Sequence, residues 1–409
     1  MSGGARGQDA MRATWIRSEV EGQDARQAET RRIRSESRGG LRVLGAMGLT
    51  AALLSAGCAR PSEDRAVRDT RIGQAEGEAL TVEVEGGLAS VRTLGAGALE
   101  LWGQAPVFTV RVATGAQART DWLLTVHNAM PDAALMAVDE EGAPLVVEAL
   151  PDAHPTVKAW RVALRPGATA RLTVAPPDWD SREPFRFAAL ADVQEALSKV
   201  GDIYTRLNQD PTLRFIFFAG DLTEFGTREQ LEEFQQRLEA GSRIPLFATL
   251  GNHETFTDDA REYQRLVGRA SQHFTFRGAH FSLLDSGSST VDPLVEQQFD
   301  GWLEEARDAV HVVAMHIPPL DPIGVRGGGF AIRGEAAGLV GKMARAGVDL
   351  TLYGHIHSYY SYSNAGIPAF ISGGGGAIPE AFDGVGRHFL AVDVDPSLGV
   401  RDVALVRVD

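Results

Sequence analysis

Apolar residues recur along the chain with two different periods. Between about 79 and 177 they alternate with polar ones in short runs, such as Leu80-Thr81-Val82-Glu83-Val84, Val107-Phe108-Thr109-Val110-Arg111-Val112 and Ala170-Arg171-Leu172-Thr173-Val174. A period of two puts one face of a strand on a core. Gly, Pro and Asp break the runs, as at Glu141-Gly142 and Arg165-Pro166-Gly167. The pattern predicts an all-β, sandwich-like domain over 79–178, closed by Pro176-Pro177-Asp178. From Phe185 the texture changes to apolar strands alternating with helical spacing. Phe187–Leu190 leads into Leu197, Val200, Ile203, Tyr204 and Leu207. Phe215–Phe218 leads into Thr227-Arg228-Glu229-Gln230, a capping box, and then Leu231, Phe234 and Leu238. Pro245–Leu250, Val312–Met315 and Leu350–Tyr353 read as further strands, and Asp292-Pro293 as a helix start. This half, 185–409, is expected to be a layered α/β domain.

Arg31, Arg32, Arg34, Arg38 and Arg42 precede an uncharged run from Val43 to Gly57, and the run ends at Cys58. A basic stretch, a short apolar core and small residues have the form of a signal peptide. A spanning helix needs about 20 apolar residues, more than this run offers. Cys58 is the single cysteine, so an intramolecular disulfide is excluded. Leu54-Ser55-Ala56-Gly57 before it resembles the cleavage box of bacterial lipoproteins. That resemblance implies export to the cell envelope and a membrane anchor on a lipidated Cys58. Residues 1–57 then form the leader, and the polar stretch 58–78 a tether.

The chain carries 40 Lys and Arg against 54 Asp and Glu, a formal charge of −14. That balance argues against a nucleic-acid backbone as main partner, because such a partner needs a positive footprint. An anionic substrate would have to meet a local positive charge, which a bound metal ion provides.

The residues with metal-binding chemistry fall just past the ends of the predicted strands of the second half. They are Asp192-Val193-Gln194, Gly220-Asp221, Gly251-Asn252-His253-Glu254, His316 and Gly354-His355-Ile356-His357. Carboxylates, imidazoles and amide oxygens form a mixed ligand set suited to Mn, Fe or Zn. Loops past strand ends are where layered α/β domains place ligands. Singly, each block has an ordinary reading: Asp192 or Asp221 as a helix cap, His316 as a satisfied loop histidine. Together they require coincidence at five strand ends.

In order and spacing, these blocks resemble the calcineurin-like metallophosphoesterase family. The resemblance implies a two-sheet fold flanked by helices, two divalent metal ions (Mn, Fe or Zn) and hydrolysis of a small phosphate ester. Carried onto this sequence, Asp192 and His357 hold the first metal, Asp221 bridges both, and Asn252, His316 and His355 hold the second. A hydroxide between the metals attacks phosphorus, and His253 assists the leaving group. Gln194 stands where the family usually has His, which would loosen the first site or shift it toward Mn. Glu224 replaces the metal-binding Tyr of the purple acid phosphatases. Gly373-Gly374-Gly375-Gly376, after Gly366-Ile367-Pro368, resembles a glycine-rich loop of the family. Glu254 is expected to order its loop rather than touch metal.

Two readings from other classes stand beside the hydrolase. One is a non-catalytic scaffold or binding protein on a degenerate phosphoesterase fold. The other gives the main role to the β-rich region as an adhesion or glycan-binding module, although 79–177 shows no ligand cluster. The loops 255–262 and 317–333, with Arg326 and Arg333, would form the rim. Nucleotide, cyclic nucleotide, phospholipid head group and phosphoprotein all remain open as substrates.

Overall fold

A computed structural model describes residues 61–77, 79–324 and 328–408; the leader, Cys58 and Arg326 lie outside these described residues. The alternating runs of the first half form two five-stranded sheets. One orders its strands Gln74–Glu76, Leu80–Val84, Phe108–Thr114, Thr169–Ala175 and Ala134–Asp139. The other orders Ala89–Gly95, Ala98–Gly103, Asp121–His127, Lys158–Ala163 and Val147–Ala149. The apolar positions of both sheets, among them Val82, Val110, Leu172, Leu101, Leu124 and Trp160, meet in one core. This is a sandwich, held by the face-to-face burial that the period of two foretells.

The second half is built on two more sheets. Strands Leu246–Thr249, Leu213–Ala219 and Phe185–Leu190 run parallel, followed by the antiparallel His388–Asp395 and Gly399–Arg407. The second sheet orders Gln272–Phe276, Ala279–Leu284, His311–Met315, Leu350–Tyr353, Ile367–Ser372 and Tyr359–Asn364, with its four middle strands parallel. Side-chain alternation divides the core into layers. Phe185, Phe187, Phe215, Phe217 and Phe247 of the first sheet face Phe274, Phe276 and Phe281 of the second. Phe187 stacks on Phe215 at 5.4 Å, and Phe281 meets Phe215 edge-on at 5.4 Å. Each such ring removed from water contributes about 1.5–3 kcal/mol. The opposite face of the first sheet (Leu190, Ile216, Phe218) packs on the helices Gly201–Leu207, Arg228–Gly241 and Arg261–Leu266. That of the second sheet (Leu284, Val313, Met315) packs on Pro293–Glu305 and Arg333–Ala346. The result is helices, sheet, sheet, helices.

Two local readings need correction. The stretch read as a tether is structured from residue 61, where Pro61–Asp69 forms a helix. Its charge conceals it, because the helix is held by ion pairs rather than by an apolar stripe. Arg65 is 1% exposed and binds Asp285 (2.8 Å), Asp259 (2.6 Å) and Ser288 (2.8 Å). Asp69 accepts from the Ala270 and Ser271 amides. The helix expected from Leu197 to Leu207 is divided into a 3-10 turn, Gln194–Lys199, and a short helix, Gly201–Leu207. No described helix is long and apolar enough to cross a membrane.

The sandwich is fastened to the second half by buried polar side chains. Asn128 donates to Leu246 O (2.7 Å) and accepts from Leu246 N (2.9 Å), while Gln104 accepts from Ala248 N (3.2 Å). Trp102, Ala105 and Met130 of the sandwich also enter the cores beside the first sheet.

Three histidines outside the candidate site form a hydrogen-bonded chain on the second sheet. Ser282 Oγ joins His311 Nε2 (2.8 Å) to His273 Nδ1 (3.0 Å), and His273 Nε2 meets His280 Nδ1 at 3.0 Å. Burial, with the neighbouring imidazoles, pushes His273 and His311 down to about 3, and burial lowers His280 as well. Glu305, 3.8 Å from His273, and Asp349, which accepts from the His311 amide, are the acids nearby. These imidazoles are neutral in the fold, whereas the unfolded chain takes up their protons below its pKa of about 6.5. Stability is therefore expected to be full above that pH and to fall steadily as pH drops from about 6.5 toward 3. Urea denaturation at stepped pH checks this, and His273→Gln should flatten the slope.

Candidate metal centre

Five loops leave the carboxyl ends of the parallel strands and converge above the two sheets. Asp192 and Gln194 follow Phe185–Leu190, Asp221 follows Leu213–Ala219, and Asn252 and His253 follow Leu246–Thr249. His316 follows His311–Met315, and His355 and His357 follow Leu350–Tyr353. The turns are sharp enough that Asp192 (φ 63°), Gln194 (φ 47°), Asp221 (φ 57°) and His355 (φ 69°) all adopt the left-handed region. Non-glycine residues held there cost about 1–3 kcal/mol each. Two glycines make room for the carboxylates. A Cβ on Gly251 would collide with the Asp221 carboxylate, and one on Gly354 would lie 2.7 Å from Asp192 Oδ2.

The structure brings all the expected ligand residues together. A ligand atom from each of Asp192, Asp221 and His357 lies within 4.8 Å of the others, and all three side chains are buried. Gln194 joins this group, its Nε2 donating to Asp221 Oδ2 (2.7 Å) and lying 3.1 Å from His357 Nε2. His316 Nε2 also meets Asp221, 3.2 Å from the same Oδ2. Asn252 Oδ1 lies 3.0 Å from both His316 Nε2 and His355 Nδ1. Asp221 is thus the residue common to both groups.

The imidazoles are oriented by backbone. His316 Nδ1 donates to Ala219 O (2.8 Å) and His357 Nδ1 to Ile378 O (2.7 Å), which turns each Nε2 inward. His253 donates through Nδ1 to Glu224 O (2.7 Å), and its Nε2 lies 3.9 Å from Asp221 Oδ2. Glu254 is fully buried and accepts from the amides of Asp221 (3.1 Å), Gly251 (2.8 Å) and Thr223 (3.0 Å). It ties two ligand loops together and does not point at the centre. Gly373–Gly376 closes the site from the side, with Gly375 N donating to Ala191 O.

Electrostatics mark the centre as a cation seat. Burial opposes ionisation of Asp221, yet the neighbouring His316 and His253 hold its carboxyl well below the usual range. Burial likewise opposes charge on His316, but Asp221 and Asp192 lift it to about 9. Burial and the Asp221 charge raise Glu254 to about 7. Buried carboxylates here face imidazoles at close range, His316 Nε2 lying 3.2 Å from Asp221 Oδ2. Oxygen and imidazole donors aimed at one point fit a divalent ion.

Residues 185–359 match the calcineurin-like phosphoesterase family. The likeness to individual proteins is more distant. A "Probable cyclic nucleotide phosphodiesterase" of Colwellia psychrerythraea is 22% identical over 165 residues, or 37% of this chain. The match spans 63% of the length of that curated relative. Among solved structures, PhoD aligns with 74% of this chain and 87% of its own, at 11% identity and a TM-score of 0.45. A dimetal phosphatase from Danio rerio aligns with 55% of this chain and 99% of its own, at 13% identity and a TM-score of 0.40.

Of the residues proposed for the rim, Arg333 is exposed at the start of its helix. Sequence reasoning missed Phe256, whose ring lies 4.6 Å from that of His253, and Phe225 on the loop bonded to it. The available signal was their place directly after the Asp221 and His253 blocks.

The dialysed protein should take up Mn²⁺ or Zn²⁺ with a rise in melting temperature. Glu254→Gln should lower metal affinity about 10- to 100-fold by loosening both loops. Asp221→Asn should lower it further. Competition with a chromogenic chelator measures both.

Proposed function

We propose that the domain 185–409 hydrolyses small phosphate esters, monoesters or diesters, at a pair of divalent cations, Mn, Fe or Zn. Asp192, His357 and Gln194, with its amide turned over to present Oε1, would hold one ion. Asn252, His316 and His355 would hold the other, and Asp221 would be shared. Ions in these seats would neutralise phosphoryl oxygens and lower the pKa of the attacking water. The observation that carries the reading is the buried Asp221 carboxylate, whose Oδ2 is approached by both Gln194 and His316.

The chain's own groups divide the remaining work. The Asp221 carboxylate accepts from the His253 amide (3.0 Å), which fixes the loop carrying that histidine. With Nδ1 committed to Glu224 O, the His253 ring presents Nε2 toward the centre. Protonated there, it can hand a proton to the leaving oxygen. Gln194 supports the scaffold reading in one respect, since its N–H already bridges Asp221 and His357. The intact placement of His253 favours the enzyme.

Metal-free protein resupplied with Mn²⁺ should cleave a chromogenic monoester or diester, with a cyclic nucleotide among the first diesters to try. His253→Ala should lower kcat on the order of 10²–10⁴-fold while metal content is unchanged. No turnover with any divalent ion would leave the scaffold reading standing.

The same proposal places the protein at the cell envelope, attached through a lipidated Cys58. Support is the basic, apolar and small-residue succession before that cysteine. Metabolic labelling with radioactive palmitate should mark the protein, and Cys58→Ser should abolish the label.

A further inference from the structure

Phe225 and Phe256 are 50% and 57% exposed, although both belong to well-fastened loops beside the centre. Phe256 lies against the candidate proton donor, its ring 4.6 Å from that of His253 at an angle of 43°. Phe225 follows Glu224, whose carbonyl holds His253 Nδ1. The two loops are joined, because Thr257 Oγ1 donates to Phe225 O (2.6 Å). Phe225 N in turn donates to Gln230 Oε1 (2.8 Å). Both rings are therefore held in water on one bonded framework, with Phe256 directly against His253. Such exposure of large apolar surface marks a contact surface. The Glu224 carboxylate lies behind His253, 3.6 Å from its Nδ1.

We infer that Phe225 and Phe256 form a platform for the leaving group, and that the substrate is a phosphate ester of a planar, apolar alcohol. The inference rests on the proposed hydrolase reading and adds the class of the ester. A flat ring laid on Phe256 puts its ester oxygen within reach of His253, so binding and proton delivery share one surface.

The experiment uses metal-loaded full-length protein and esters matched in leaving-group chemistry but not in ring area. 2-Naphthyl phosphate and phenyl phosphate are compared for kcat/KM, as monoesters and as methyl diesters. Naphthylmethylphosphonate and benzylphosphonate, which cannot be cleaved, are compared for affinity by calorimetry. The larger ring should be favoured about tenfold in both measurements, the size expected for one good aromatic contact. In Phe225→Ala/Phe256→Ala both ratios should fall to about 1, and Phe256→Leu, which keeps apolar volume, should give an intermediate value. Equal ratios in the wild type, or a preference that survives the double substitution, overturn the inference. A binding preference without turnover of any ester upholds the platform and overturns the hydrolase reading instead. Turnover without a ring preference does the reverse.

Discussion

Three carboxylates, those of Asp192, Asp221 and Glu254, are sealed almost completely from water at the point where five loops meet. An unpaired buried anion is costly, so each must find compensation. Glu254 finds it in three backbone amides and thereby fixes the relative height of the Asp221 and Asn252 loops. Asp192 accepts from the His355 amide, which draws in the loop from the second sheet. Asp221 is left with the Gln194 and His253 amides and the His316 imidazole. The backbone strain at four of these positions is sustained by the same anchoring. The sheets supply a rigid floor, and the anions decide how the loops close over it.

Much of this was legible in the sequence for a simple reason. Each ligand block follows a run that is apolar on both faces, because a strand buried between two layers has no polar face, and the break from that run to a polar residue marks the strand end. Asp221 after Phe215–Phe218 is the plainest case. Caps were legible too: Thr227 accepts from Gln230 N, and Asp292 from Leu294 N. The reciprocal arm of the box was not, since Gln230 turns to the Phe225 amide instead.

What escaped was structure made by long-range pairing. The helix Pro61–Asp69 reads as a polar linker because its buried partners, Asp259 and Asp285, lie about 200 positions away. The chain of His273, Ser282 and His311 depends on three strands coming into register, which no local pattern reports. Ile367–Ser372 is a strand although Pro368 stands second in it, near a strand start where a missing N–H is tolerated. Phe256 looked like one more apolar residue until the fold left its ring in solvent.

The grip of Asn128 and Gln104 on Leu246 and Ala248 has a bearing on how this molecule is divided. Those two side chains occupy backbone groups of the outermost strand in the first sheet of the second half. Pro176-Pro177-Asp178 looks like a place to cut, yet severing the chain there would bare that margin to any passing β-strand. The sandwich thus covers an edge of its neighbour, and the seam visible in the sequence is not a bare boundary between two separate bodies.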